Sequence, residues 1–159
     1  MSREQLAKAI ERLGYKAVVV AAPATQKTSP ALRTVPIPKG APAFFADAMR
    51  RARKERRPVV IDFWATWCAP CKRLKLVTMA EPRVAKALAS VEVVFVDLDK
   101  HPQLAEAFAV KSVPDVFFVA ADGRVVDRLR KFEDADGFLK RLGKLSKRPS
   151  SRPAKKPDK

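Results

Sequence analysis

Residues 59–72 read V-V-I-D-F-W-A-T-W-C-A-P-C-K, and this stretch decides the fold. Its first six residues are mostly β-branched or aromatic, which predicts a strand buried on both faces by helices. Asp62 interrupts this apolar run. A carboxylate buried in a strand needs a partner, or a pKa raised far enough to keep it partly neutral near pH 7.

A Cys-x-x-Cys pair follows the strand, at the start of a helix predicted over residues 69–76. Pro70 suits the first turn, because the N–H groups there have no acceptor within the helix. Those N–H groups and the helix dipole favour a negative sulfur, so the pKa of Cys68 is expected to fall from about 8.5 towards 7 or below. Cys71 lies on the same face and close enough to close a small disulfide ring, so one thiol is expected to attack and the other to resolve. The apolar side of this helix is assigned to Leu74 and Val77.

Two other interpretations of the cysteine pair stay open. The first is half of a zinc site, which needs about four ligands. The chain has no third cysteine, and its one histidine, His101, lies thirty residues beyond Cys71 in a polar stretch. We assign His101 to a helix cap or to the surface. The second interpretation is a pair of inert core cysteines.

The stretch D-F-W-A-T-W-C-A-P-C-K resembles the active site of the thioredoxin superfamily, in which the tryptophan before the first cysteine and the proline before the second recur. Two later stretches, S-V-P-D-V-F-F-V at residues 112–119 and A-D-G-R-V-V at residues 121–126, resemble the segment with a cis proline, a strand and a hairpin. The lead-in at residues 44–63 and the insert at residues 79–88 are more similar to the domains that terminate bacterial transmembrane thiol-disulfide interchange proteins. The resemblance covers residues 43–145.

This resemblance implies an α/β fold of three layers, a mixed central sheet with helices on both faces. It also implies a thiol-disulfide oxidoreductase that needs no cofactor or metal. Cys68 would attack a substrate disulfide, Cys71 would resolve the mixed disulfide, and Asp62 below the pair would accept the proton of Cys71. If the Val113–Pro114 bond is cis, as in the family, the backbone at Val113 turns toward Cys68 and can pair with an extended substrate. Substrate contacts are expected from Trp67, Ala69, Pro70, Val113 and Pro114.

Three residues depart from the thioredoxin pattern. Ala69 replaces the usual glycine, at a loop position that tunes the redox potential. Phe95 stands where many thioredoxins have a lysine near the buried acid, so we expect stronger desolvation of Asp62 here. Asp115 follows Pro114 where threonine is common. A carboxylate beside the sulfurs would disfavour the thiolate and favour basic or neutral substrates.

Periodicity and turn residues place the other elements. A helix is predicted over residues 43–57, with a basic outer face that we interpret as solvated. Its inward residues are expected to be Phe44, Phe45, Ala48, Met49 and Ala52. Further helices are predicted over residues 83–90, 101–108 and 135–145, the last capped by Asp134, and strands over residues 91–98, 116–120 and 125–129, the last two joined by a hairpin at Asp122-Gly123.

The composition divides the chain into four parts. Residues 1–22 are predicted to form a helix-strand extension, which resembles the end of heavy-metal-associated domains without the cysteine loop of that family. A proline-rich linker is predicted over residues 23–42. The thioredoxin-like domain then spans residues 43–145, and a disordered basic tail spans residues 146–159.

The formal net charge of +16 exceeds what such a fold requires. The excess favours weak electrostatic contact with nucleic acid or anionic surfaces. No apolar run approaches the roughly 18 residues of a membrane span. Residues 17–24 are the one candidate for the apolar part of a signal peptide, and acidic residues precede them. We therefore predict a cytoplasmic monomer, or a periplasmic protein if the N-terminus is an atypical signal or is incomplete.

The predicted function is thiol-disulfide exchange with protein substrates, in which this chain acts as the reductant and an upstream dithiol reductase restores it. Two alternatives stay open. One is a redox-sensing module that its basic helix and tail tether to acidic partners. The other is a metal-trafficking module whose cysteines bind a soft monovalent ion.

Overall fold

A computed structural model describes residue 35 and residues 37–146 of the chain. It contains a four-stranded sheet and the helices that cover it. In chain order the elements are α1 (Ala43–Glu55), β1 (Val59–Trp64), α2 (Ala69–Arg73) running into a π-helical turn (Leu74–Thr78), α3 (Pro82–Leu88), β2 (Glu92–Asp97), α4 (Pro102–Ala107), β3 (Asp115–Val119), β4 (Val125–Leu129) and α5 (Ala135–Leu145).

The sheet has the strand order β2-β1-β3-β4, and it is mixed. β1 runs parallel to β2 and antiparallel to β3, and β4 is antiparallel to β3. The β3–β4 connection is the predicted hairpin, with Gly123 at a positive φ of 85° that suits glycine. The predicted three-layer α/β architecture is confirmed.

β1 separates two hydrophobic cores, because alternate residues of a strand point to opposite faces. Ile61 and Phe63 join a core that α1 and α4 cover, with Phe45 and Phe108 among its members. Val60 joins the second core on the other face, which also contains Leu74, Val84, Phe118 and Phe138. Burial on both faces explains why this strand is apolar throughout except for one acid.

The inward face of α1 differs from the prediction at its first turn. Phe44 is 43% exposed and packs on the ring of His101 at a centroid distance of 5.0 Å. The buried stripe follows the i, i+3, i+4, i+7 spacing that starts at Phe45, so Phe44 lies at its edge. The helix ends at Glu55 because Arg56 adopts a left-handed conformation with φ of 53°. The buried residues are Phe45, Ala46, Ala48, Met49 and Ala52.

The assignment of Val77 to the apolar side of the active-site helix was also wrong. Val77 is 57% exposed, whereas Leu74 is fully buried. The helix widens at this point, and the Met79 N–H donates to the Leu74 carbonyl five residues earlier, at 2.9 Å. The wider turn brings Thr78 and Met79 to the buried side in place of Val77.

Part of the predicted proline-rich linker packs on the domain. Val35 is fully buried in the core beneath α1. Its N–H donates to the Gly123 carbonyl at 2.8 Å, and its carbonyl accepts from the Arg53 guanidinium at 2.9 Å. The predicted extension (residues 1–22) and all of the predicted tail after Ser146 lie outside the described residues.

The remaining predicted elements appear with small shifts of their ends. Asp134 caps α5 as predicted and accepts from the Gly137 N–H at 2.9 Å. Glu81 caps α3 and accepts from the N–H groups of Arg83 and Val84. His101 occupies the N-cap position of α4 without a side-chain cap bond. Within residues 37–146, no helix has the length and apolarity needed to cross a bilayer.

Candidate active site

The two cysteines lie where the chain leaves β1 and enters α2. Cys68 is the N-cap residue in an extended conformation, and Pro70 stands in the first turn. The Cys71 N–H donates to the Cys68 sulfur at 3.2 Å. The two residues form a disulfide with a Cα–Cα distance of 5.3 Å. The prediction that this pair can close a small ring is therefore confirmed.

A small apolar shell surrounds the disulfide. Cys68 and Cys71 are 4% and 1% exposed, and with Ala65 they form a cluster of their own. Three partly buried side chains pack against that cluster: Trp64, Leu98 and Val113. The Val113–Pro114 bond is cis, in agreement with the resemblance. The structure thus brings the Val113 segment, far away in sequence, to the sulfurs.

Trp67 borders the disulfide on the solvent side. The residue is 66% exposed, and its indole N–H donates to a carboxylate oxygen of Asp99 at 3.0 Å. This bond fixes the ring while leaving most of its surface open. Ala69 and Pro70 are exposed next to it, whereas Pro114 is buried. The exposed residues that flank Cys68 in the chain, Trp67 and Ala69, are therefore apolar.

Asp62 is buried within β1, with 1% of its surface exposed. Its side chain lies on the same sheet face as Val60 and Trp64, which is the face that Leu74 and the π-helical turn cover. Burial is the main reason that its pKa rises to about 7, the charge of Lys75 lowers that pKa, and Asp115 raises it. Neither carboxylate oxygen has a hydrogen-bond partner among the described residues. A carboxyl group with this pKa can take up or release a proton near neutral pH.

Lys75 is a residue of this site that the sequence analysis missed. Its ammonium lies 4.2 Å from the centre of the Phe95 ring and 5.0 Å from that of Trp64. Phe95 is the partner of Asp62 in the β1–β2 register. The sequence signal that could have found Lys75 is its spacing from Cys71, because a residue four positions later lies on the same side of a helix.

A family model described as Thioredoxin matches residues 42–144, which is more than half of the chain. The chain belongs to the thioredoxin family. Mitochondrial thioredoxin from Mus musculus is 39% identical over 99 residues, which cover 60% of this chain and 58% of that protein. Thioredoxin from Chlamydia trachomatis is 38% identical over 86 residues, which cover 54% of this chain and 80% of that protein. The match thus spans little more than half the length of the mouse thioredoxin.

The solved structures similar to this thioredoxin-family chain include the reduced C-terminal domain of DsbD from Neisseria meningitidis. That domain is 31% identical with a TM-score of 0.58, and the match covers 65% of this chain and 95% of the domain. The similarity agrees with the expected likeness to terminal domains of thiol-disulfide interchange proteins.

One departure from the thioredoxin pattern has a different consequence than the sequence indicated. Asp115 is buried with 1% exposure, and it accepts from Arg128 at 2.7 Å (Nε) and 2.5 Å (Nη2). By the alternation of β3, its side chain points to the same face as Phe117, away from that of Asp62. The carboxylate is thus paired with a bidentate arginine rather than left without a partner beside the sulfurs, which removes the premise of the argument for basic or neutral substrates.

The apolar Phe95 agrees with the expected desolvation of Asp62, but a cation still acts on this acid. The strand position that holds a lysine in many thioredoxins is apolar here, and burial is indeed the largest influence on Asp62. A lysine still acts on the acid, but it comes from the active-site helix as Lys75 and rests on the Phe95 ring. The family pattern concerns only the strand position that Phe95 occupies. It therefore gives no sign of a cation that another element supplies.

Replacing Arg128 with methionine is expected to lower the free energy of unfolding by about 2 kcal/mol, because it leaves Asp115 buried without its partner. The loss is smaller than for a fully buried pair because the Arg128 side chain is 23% exposed and Arg130 lies 3.9 Å from the same carboxylate. Urea denaturation measures this loss in the free energy of unfolding. The double variant with Asp115→Asn should recover part of the loss. Arg124→Met, which breaks the exposed pair with Asp122, is the matched control and should change stability by less than about 0.5 kcal/mol. Equal losses for the two arginine variants would contradict the prediction.

Proposed function

We propose that this protein is a thiol-disulfide oxidoreductase that reduces disulfide bonds of protein substrates through the Cys68–Cys71 dithiol. The observation that carries the proposal is the arrangement of the pair. The two sulfurs are already bonded to each other at the start of a helix, with Trp67 open to solvent on one side and a buried Asp62 of raised pKa on the same sheet face as that helix.

The reaction begins from the reduced pair. The Cys68 thiolate attacks one sulfur of the substrate disulfide, forms a mixed disulfide and expels the other substrate sulfur as a thiolate. Cys71 then attacks the Cys68 sulfur and expels the second substrate sulfur. The new bond is the Cys68–Cys71 disulfide that the structure shows. Two electrons pass from this protein to the substrate, which leaves as a dithiol.

Asp62 is proposed to accept the proton of Cys71 in the second step. The thiol of Cys71 is buried and has to lose its proton before it can attack. A base with a pKa of about 7 is half ionised near neutral pH, so it can take up this proton and release it again in each cycle. This role explains a carboxylate in a strand that is otherwise apolar.

Substrate is proposed to bind over the apolar surface around the sulfurs. Trp67, Ala69 and Pro70 are exposed and offer apolar contact area beside Cys68. Val113 packs on the cysteine cluster, so its backbone can pair with an extended substrate segment next to the sulfur. Pro114, which follows Val113, is buried.

The direction of electron flow, the partners and the compartment complete the proposal. The protein acts as a reductant in the cytoplasm, as a monomer, and an upstream dithiol reductase returns two electrons to the disulfide. The excess positive charge adds weak contact with nucleic acid or anionic surfaces.

Two measurements test the proposal. With dithiothreitol as the electron donor, the protein should accelerate the reduction of insulin, and dithiothreitol alone is the control. Equilibration with glutathione should give a reduction potential near about −270 mV, as expected of a reductant. A potential near about −120 mV would identify an oxidant instead. A pair that exchanges no disulfide with either substrate would contradict the proposal altogether.

A further inference from the structure

Lys75 lies over the two aromatic rings that border Asp62. Trp64 is two residues further along β1, so its side chain points to the same face as that of Asp62. Phe95 is the neighbour of Asp62 across the β1–β2 pairing. The Lys75 ammonium is 5.0 Å from the first ring centre and 4.2 Å from the second. The cation is thus held beside the acid by two rings, without an ion pair to it.

The packing of the π-helical turn sets the position of the Lys75 ammonium. Leu74 is fully buried in the second core, which fixes the orientation of the π-helical turn in which Lys75 follows it. The Lys75 residue as a whole is exposed, but its ammonium faces two rings, and a cation held over an aromatic face is attracted to it. Exposure also gives it a route to water, so holding the charge at this place requires little desolvation.

We propose that Lys75 is a positioning residue, which favours the anionic form of Asp62 so that Asp62 can accept the Cys71 proton. The inference rests on the proposed function, because it assumes that Asp62 is the base. In this role Lys75 acts on the reaction through Asp62.

The other groups around Asp62 work against the anion or are already paired. Burial and the charge of Asp115 both favour the neutral acid. Asp115 points to the other sheet face and is held by Arg128, with Arg130 at 3.9 Å. At the end of β2, Asp97 has Lys100 at 3.9 Å. The charged and titratable groups on the elements around Asp62 are Cys68 at the N-cap of α2, Cys71, Lys72 and Arg73 on α2, Lys75 on the π-helical turn, Glu92 and Asp97 on β2, Asp115 on β3, Asp127 and Arg128 on β4, and Arg130 just after β4.

Lys75→Met tests the proposal, because methionine keeps an unbranched stem and removes the charge. In the disulfide form, carboxyl ¹³C NMR should show the pKa of Asp62 raised by about half a unit in this variant. Lys75→Arg keeps a cation that can lie on the rings and should restore the original value. Lys86→Met, an exposed lysine on α3, is the matched control for loss of one positive charge and should leave Asp62 unchanged.

Turnover gives a second readout. For Lys75→Met, kcat in insulin reduction should fall about twofold at pH 7, and the difference should vanish near pH 9, where Asp62 is ionised in both proteins. KM should stay the same, since Lys75 acts on the acid and not on the substrate. In an Asp62→Asn background, Lys75→Met should have no further effect.

The outcomes separate this inference from the function on which it rests. An unchanged Asp62 titration in Lys75→Met would overturn the inference, and so would a loss of turnover that persists in the Asp62→Asn background. Full turnover by Asp62→Asn alone would overturn the role of Asp62 as the base. In that case the NMR titration would still decide whether Lys75 favours the anionic form of Asp62.

Discussion

Replacing Cys68 with serine is expected to reduce the rate of insulin reduction to that of the donor alone. A serine hydroxyl is not ionised near neutral pH, so the variant has no nucleophile for the substrate disulfide. Cys71 remains, but it is the more deeply buried of the two residues, at 1% exposure. The measurement is the turbidity of the reduced insulin chains over time, at equal concentrations of variant and unmodified protein.

The matched control for this loss is Cys71→Ser, which removes the same disulfide and also replaces one sulfur atom with oxygen. It should also stop turnover, but at the second step, so that substrate stays bound to Cys68. Mass spectrometry without reductant should therefore show the mixed disulfide with Cys71→Ser and none with Cys68→Ser. The reverse result would assign the attacking role to Cys71 and contradict the proposed sequence of steps.

The N-cap position gives the physical reason for this order. The Cys68 sulfur accepts from the Cys71 N–H at 3.2 Å, and a thiolate accepts such a bond more strongly than a thiol. Helix N–H groups and the helix dipole act in the same direction. In the reduced protein, alkylation of Cys68 by iodoacetamide should therefore follow a pKa below the usual value of about 8.5. Alkylation with the pH dependence of a free cysteine would remove the basis for Cys68 as the nucleophile.

The sequence predicts the parts of the site that lie close together along the chain. β1, Asp62 and the cysteine pair fall within residues 59–72, where strand composition, Pro70 and the spacing of the cysteines all indicate the same structure. The segment at Pro114 could be added only through its resemblance to a known family, because no spacing rule brings residue 113 to residue 68. Its placement against the cysteine cluster is a fact of the tertiary structure.

The features that the sequence did not show depend on partners from distant elements or on a local change of helix type. The bidentate bond of Arg128 to Asp115 joins β4 to β3, and either charge alone would be interpreted as exposed. Val77 turns outward because the helix widens after Leu74, and periodicity analysis assumes one constant turn. Both reasons apply to Lys75. It lies on the π-helical turn, and its ammonium rests on the ring of Phe95, which belongs to β2.

Replacing Asp62 with asparagine is expected to remove a pH dependence from the stability of the disulfide form. The pKa of Asp62 is about 7 in the folded protein, against an ordinary value of 3.8. Between these two values the folded protein keeps a proton on Asp62 that the unfolded chain has lost. The free energy of unfolding therefore falls as the pH rises from about 4 to 7, and it stays low above that range. Relative to the asparagine variant, the fall should amount to about 4 kcal/mol, which is a large fraction of the stability of a small domain.

Urea denaturation at a series of pH values measures this difference. Asparagine has the shape of the neutral acid and does not titrate, and all other groups are shared, so the difference between the two curves isolates Asp62. Glu106→Gln, which removes an exposed carboxylate on α4, is the matched control and should follow the unmodified protein at every pH. Parallel curves for Asp62→Asn and the unmodified protein would show that Asp62 ionises equally in both states. Such an acid would be fully ionised at pH 7, and it would be too weak a base to accept the proton of Cys71 as the proposed cycle requires. The expected loss of stability above pH 7 and the proposed role of Asp62 thus have one cause, which is the burial of a carboxylate beneath the active-site helix.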